Sequence, residues 1–178
     1  KYGGYTEANA QEFSRIMQKK LGWSRYGNPK YVSAVYRYLV FSSNGKWGSP
    51  FVGKDWNSRV SSDFGWRTDP LNGKKAFHEG LDIAYPTGTK IHAVSGGVVT
   101  SVVYSKTGYG HHVRVDCGNG VTVLYAHCSK ILVTKGQSIS TGQAIAEVGA
   151  TGRVTGAHLH LGVLVNGKEV NPREYIGG

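Results

Sequence analysis

Apolar residues recur at two different periods along this chain, and the change falls near residue 46. Ala10, Phe13, Ile16, Met17 and Leu21 lie at helical spacing, and Gly22 supplies a stop before Trp23. Asn28 then suits a helix cap and Pro29 a first helical position, after which Val32, Val35, Tyr36, Leu39 and Val40 repeat the same stripe. The pattern predicts a short helical hairpin over residues 1–45, ended by the linker Ser42-Ser43-Asn44-Gly45. From about Trp47 the period shortens to two. Val98–Tyr104, His112–Asp116 and Val121–His127 read as strands, with Gly118-Asn119-Gly120 as the turn between the last two. Leu132–Gly149 holds short strands around Lys135-Gly136 and Thr141-Gly142, and His158–Val165 pairs with Lys168–Val170 across Asn166-Gly167. The predicted architecture is mainly β: a compact antiparallel sheet domain over residues 46–178 behind a helical N-terminal segment, α+β overall.

Charge and length sharpen this division. A chain of 178 residues has room for one good core and a small accessory lobe, and its 26 glycines fit a domain rich in tight turns. No apolar run approaches the length of a membrane span. Lys1 opens the chain without a signal-like apolar region, which reads as a processed or excised piece. Residues 1–54 hold nine Lys/Arg against two acids, so they carry +7 of the net +10. A basic front segment points to an anionic partner, with a nucleic acid, an anionic wall polymer, a lipid surface or plain solvation as the alternatives. There is no aromatic RNA-binding signature and no zinc-finger spacing, and most positive charge lies outside the β region, so no nucleic-acid partner is expected.

The chemistry concentrates in two fragments. His158-Leu159-His160 places two imidazoles on one face of a strand, because side chains alternate with period two. His78-Glu79-Gly80-Leu81-Asp82 offers a third imidazole and a carboxylate. Zinc accepts both ligand types, and a catalytic zinc site keeps three protein ligands plus one open position. One of these four groups is therefore free for chemistry beside the metal, and Tyr125-Ala126-His127 adds another imidazole. Each fragment alone arises easily by chance; their combination is the signal.

Asp63-Phe64-Gly65-Trp66-Arg67, His78-x-Gly80-x-Asp82-Ile83-Ala84, Gly118-Asn119-Gly120, Tyr125-Ala126-His127 and His158-Leu159-His160 occur in one order, and as an ordered set they resemble the M23 family of zinc metallopeptidases, the lysostaphin or LytM type. The resemblance covers roughly residues 47–176 and leaves out the helical segment. It implies a compact antiparallel β fold whose groove holds one zinc per chain, and hydrolysis of the peptide stems or cross-bridges of bacterial peptidoglycan. By position it implies His78, Asp82 and His160 as zinc ligands and His127 and His158 as the catalytic, non-ligand histidines. A straight strand would hold His78 and Asp82 ~13 Å apart, so a bend is needed between them, for which Gly80 is suited. The implied setting is secreted or at the cell wall, or phage-borne as in an endolysin, with anionic wall polymers as partners of residues 1–54. The rival reading is a non-catalytic wall-binding or amidase-activating adaptor. Such adaptors usually lack ligands, whereas this chain retains all of them.

With no Glu in a His-Glu-x-x-His arrangement, proton transfer falls to imidazole, whose ordinary pKa of ~6.5 suits acid–base work. His127 and His158 share that work, in an order the residues leave open. Several neighbours read more plainly. His92 is a packed or surface histidine, Glu79 is an exposed acid on the opposite strand face from His78, and at least one of His111 and His112 faces solvent, with a groove-lining role open for the other. Relatives that cut glycine bridges carry a Tyr shortly before the first ligand His, and Asp69–Phe77 contains none. If Asn119-Gly120 is a two-residue turn, Cys117 stands opposite Thr122 and ~20 Å from Cys128, too far for the ~7 Å that a disulfide allows.

Overall fold

The computed structural model describes residues 47–177, so both predicted N-terminal helices lie outside the described residues. Within these, twelve strands follow in chain order: β1 (Val60–Ser62), β2 (Gly65–Thr68), β3 (Lys75–His78), β4 (Leu81–Ile83), β5 (Lys90–His92), β6 (Gly97–Val103), β7 (His111–Asp116), β8 (Val121–Ile131), β9 (Ser138–Ile139), β10 (Ala144–Val148), β11 (Leu159–Val165) and β12 (Lys168–Val170). The only helical turns among the described residues are the 3-10 segments Asn57–Arg59 and Pro172–Glu174. All strand pairings are antiparallel, in keeping with the mainly β architecture expected from the alternating pattern.

One sheet runs β1-β4-β11-β8-β7-β6-β9, with β12 joined to β11 and β10 bridging β5 and β8; β2 and β3 form a separate two-stranded hairpin. The eleven-residue β8 organises the sheet. Its first part, Val121–Ala126, pairs with β11, and its last part, Cys128–Ile131, pairs with β10. The changeover falls on His127, whose φ of 61° lies in the left-handed region. Beneath it the core is closed by Leu81, Ile83, Val113, Val123, Leu161 and Val163, all with no exposed surface. Tyr125 is buried among them, and its hydroxyl accepts a hydrogen bond from the Val94 amide at 2.9 Å, which satisfies its one polar group.

Two turns show how local chemistry sets register. Val165 faces Lys168 across Asn166-Gly167, both with positive φ, the two-residue turn that the sequence predicts. The β7–β8 turn is one residue longer than expected. Asp116, and not Cys117, stands opposite Thr122, because Gly118, Asn119 and Gly120 all take positive φ and form a three-residue loop. The slip leaves the cysteine expectation intact: Cys117 and Cys128 are buried and form no disulfide with each other, and Cys128 lies opposite His111 at the far end of the ladder.

Candidate metal centre and its groove

Strand register brings the sequence-predicted ligands together. Asp82 on β4 and His160 on β11 are direct cross-strand partners, and His160 faces Ala126 of β8 on its other side. His78 ends β3, and the chain turns through Glu79-Gly80 before β4 begins, so the straight-strand separation is avoided. Glycine is required at 80 for a different reason from the bend. Gly80 does not take positive φ, but a Cβ there would lie 2.6 Å from the Leu161 carbonyl oxygen and 2.7 Å from the His160 ring. The glycine makes room for a ligand imidazole.

The donor atoms form a tight triangle. His78 Nε2 is 3.1 Å from Asp82 Oδ1 and 3.1 Å from His160 Nδ1, and His160 Nδ1 is 2.8 Å from Asp82 Oδ1. All three residues are buried. The His78 Nδ1–H donates to the Asp63 carbonyl at 2.8 Å, which leaves a lone pair on Nε2 pointing at other acceptors. Acceptors crowded this closely need a cation or a proton between them. Ligands ~2.0–2.1 Å from a tetrahedral zinc stand roughly 3.3 Å apart, close to the sides of this triangle. His160 Nε2 is buried without a hydrogen-bond partner among the described residues. The His–Asp–His set therefore fits a zinc ion. Burial alone would raise the Asp82 carboxyl, but hydrogen bonds and charge from His160 and His78 outweigh it and hold it well below the usual range. Burial pushes the His160 imidazole down.

His127 and His158 stand beside the triangle, with ring centroids 4.9 Å apart. The His127 Nδ1–H donates to the Thr151 carbonyl at 2.8 Å, and the His158 Nδ1–H to the Gly156 carbonyl at 2.9 Å. Each carbonyl fixes the tautomer, so each Nε2 is a lone pair available to the groove. His158 Nε2 reaches 3.6 Å from Asp82 Oδ1. Burial pushes the His127 imidazole down to about 4, outweighing the Thr151 hydrogen bond that favours its charged form.

Two contributors, Tyr109 and Thr151, were not singled out by the sequence, and Arg67 was seen only as part of a motif. The Tyr109 carbonyl accepts the His127 amide at 2.9 Å, and the Tyr109 ring lies 5.4 Å from that of His160. Thr151 Oγ1 donates to the Cys128 carbonyl at 2.8 Å and accepts the His111 amide at 2.9 Å. Together these bonds hold His127 in its unusual backbone conformation, the kind of strain that surrounding structure must over-determine. Arg67 lines the groove, which has a volume of about 600 Å³. The one available sequence signal was Gly108-Tyr109-Gly110, a glycine-flanked loop of the sort that carries function. Glu79 is exposed as expected, but it also accepts the Tyr109 hydroxyl at 3.0 Å. His111 and His112 meet Tyr104 and Tyr109 edge-on and do not line the groove. His92 is half-buried at the far side of the sheet path, in β5.

Comparison with known proteins agrees with this geometry. The sequence pattern of Peptidase family M23 matches residues 76–172. The DD-carboxypeptidase/endopeptidase Mpg of Neisseria meningitidis is 43% identical over 115 residues, which is 65% of this chain and 26% of that protein. The chain thus spans about a quarter of the length of the curated relatives it matches. Among solved structures, a zinc-containing peptidase of Vibrio cholerae superposes with a TM-score of 0.65 at 34% identity, covering 72% of this chain and 39% of that one. The catalytic domain of EnpA, a prophage-encoded M23 protein of Enterococcus faecalis, gives 0.60 at 35% identity, covering 77% and 99%.

Proposed function

The chain belongs to peptidase family M23, and from that membership we propose that it is a zinc-dependent endopeptidase that hydrolyses peptide bonds of bacterial peptidoglycan. The observation that carries the reading is the His78–Asp82–His160 triangle with two carbonyl-locked imidazoles beside it. A non-catalytic adaptor has no need of this second pair. The likeness to the Neisseria protein, a DD-carboxypeptidase/endopeptidase, favours a bond between two D-centres over a glycine bridge, in line with the missing Tyr before His78.

His78 Nε2, Asp82 Oδ1 and His160 Nδ1 would hold the zinc. Bound there, zinc supplies Lewis acidity, which polarises an amide carbonyl and acidifies water. The Asp63 carbonyl and the Gly80 clearance keep the two ligand rings aimed. His127 is neutral at pH 7 and accepts the proton of the attacking water through Nε2. That proton would then pass to the departing nitrogen by way of the adjacent His158 Nε2, a lone pair until it takes the proton up. The balance is that of amide hydrolysis: hydroxyl goes to the carbonyl carbon, and a proton goes to the amine.

Residues 1–45 form a separate basic segment in this reading, and the +7 carried by residues 1–54 draws the enzyme to anionic wall polymers. The site of action is the cell wall, outside the cytoplasm. No helix among the described residues is long and apolar enough to cross a membrane. Digestion of purified peptidoglycans with direct D-centre cross-links or glycine bridges, followed by mass spectrometry of the fragments, tests the reading. Cleavage of the direct cross-link supports it, and intact material from every wall type refutes it.

A further inference from the structure

The groove contains a cation that the proposed chemistry does not use. Gly65 stands opposite His78 and Arg67 opposite Ala76, so Arg67 shares the hairpin face of the ligand His78, while Trp66 and Phe77 occupy the outer face and are exposed. The two arginines that line the groove differ sharply. Arg153 is matched: its Nη2 donates to both oxygens of Asp69 at 3.1 and 3.0 Å. Arg67 is not. Its closest carboxylate oxygen is Asp82 Oδ2 at 3.7 Å, beyond hydrogen-bonding range, and Asp82 Oδ1 is already committed to the two ligand imidazoles. Arg67 Nε is buried without a partner among the described residues, while the side chain keeps 30% exposure toward the groove. A guanidinium offers five donors in a planar fork that matches a carboxylate two by two. Here that fork is left open beside the donor triangle.

We propose that Arg67 is the docking point for a free carboxylate on the substrate residue that carries the scissile nitrogen. The proposal rests on the peptidase reading of the groove and adds the chemistry of the leaving residue. Arg67 lies one ligand oxygen away from the triangle, within the span of a single residue of extended chain, ~3.3–3.6 Å. An α-carboxylate carbon sits only about 2.5 Å from the nitrogen of its own residue, as standard bond lengths require. A substrate whose scissile carbonyl lies at the triangle therefore presents this carboxylate to Arg67. A terminal residue released by a carboxypeptidase carries such a group. So does a cross-link made through the D-centre of a diamino acid. A glycine bridge and an amidated diamino acid do not.

The test uses the zinc-loaded full chain and two cross-linked muropeptides that differ only in whether the diamino-acid carboxylate is free or amidated. The wild type should prefer the free acid by about 10–100-fold in kcat/KM, the range for a charge-assisted, bidentate pair. Arg67→Gln should lose most of that preference by slowing on the free acid alone, with zinc content and melting temperature unchanged. Arg67→Lys, which keeps the charge without the fork, should fall between. In a His127→Ala background, which slows turnover by about 10²-fold or more, calorimetry should show the free-acid compound binding more tightly than the amide only while Arg67 is present. Equal wild-type rates on the two compounds overturn the proposal. Arg67→Gln slowing both compounds alike, or shedding zinc, also overturns it, since Arg67 would then act through Asp82. If the wild type cuts neither compound, the peptidase reading fails, and the binding comparison still decides the role of Arg67.

Discussion

The Thr151 carbonyl oxygen accepts the His127 Nδ1–H at 2.8 Å, across 24 residues of sequence, while the Thr151 hydroxyl ties the adjacent Cys128 carbonyl at 2.8 Å. One residue thus sets both the tautomer of the imidazole proposed as catalytic and the backbone on which that imidazole stands. Thr151→Val removes the hydroxyl and leaves the Cys128 carbonyl and the His111 amide unpaired. The expected cost is about 1–3 kcal/mol of stability and roughly tenfold in kcat, with zinc retained. Thr151→Ser should restore most of both. Denaturant unfolding and single-turnover rates check this, and unchanged turnover in Thr151→Val would count against the positioning role.

Gly80 makes a second demand on the metal centre. Its missing Cβ leaves space for the His160 ring and the Leu161 carbonyl. Backbone cannot yield as a flexible side chain can, so Gly80→Ala should cost about 1–3 kcal/mol and weaken zinc binding, even though alanine alters no ligand. Competition with a chelating dye reads the affinity directly. A Gly80→Ala protein with wild-type zinc affinity would show that the ring has room to shift.

The metal-free protein should be acid-sensitive. Burial holds His127 down to about 4 in the folded chain, against ~6.5 unfolded. Between these values the unfolded chain binds the extra proton, so stability rises with pH in that window and is complete above about 6.5. As pH falls from 6.5 towards 4, up to about 3 kcal/mol is lost from this group. The lowered His160 acts in the same direction, and the lowered Asp82 adds its loss only at more acid pH, below the ordinary carboxyl value of ~3.9. Urea melts of chelator-treated protein from pH 7.5 to 5 should show falling midpoints, and pH-independent midpoints would contradict the burial of His127.

Both thiols should be inert in the folded chain. Burial pushes Cys117 up to about 11 and Cys128 up to about 12, so neither forms thiolate at neutral pH. A thiol reagent should react slowly with the native protein and find two groups once it is unfolded without reductant. A linked Cys117–Cys128 peptide would contradict the ladder that places Cys128 opposite His111.

The sequence was legible where chemistry depends on residue identity in order. Alternation marked the strands, and His78, Asp82, His127, His158 and His160 could be proposed as site residues before any fold was known, because the ordered set of motifs that carries them resembles a known family. What stayed hidden depends on backbone geometry. The left-handed φ of His127 breaks an otherwise regular strand and follows from contacts with Tyr109 and Thr151, far off in sequence. Gly80 was read as a bend residue, since the packing of His160 against it exists only after β4 and β11 pair. The β7–β8 register slipped by one because three adjacent residues able to take positive φ allow a two- or a three-residue loop, and the pattern does not choose between them. Arg67 looked like part of a recognition motif, and the looseness of its pairing with Asp82 appeared only once the other oxygen of Asp82 was seen to be engaged by two imidazoles.

The central claim is a division of labour between three residues that hold zinc and two that move protons. Zinc stoichiometry and cross-linked muropeptide turnover, measured side by side for alanine variants of His78, Asp82, His160, His127 and His158, test it most directly. The account predicts one zinc per wild-type chain, and loss of both zinc and turnover in the first three variants. In the last two it predicts full zinc with turnover reduced by about 10²-fold or more, as expected for loss of a positioned proton-transfer group. Full zinc in Asp82→Ala, or near wild-type turnover in His127→Ala or His158→Ala, would contradict it.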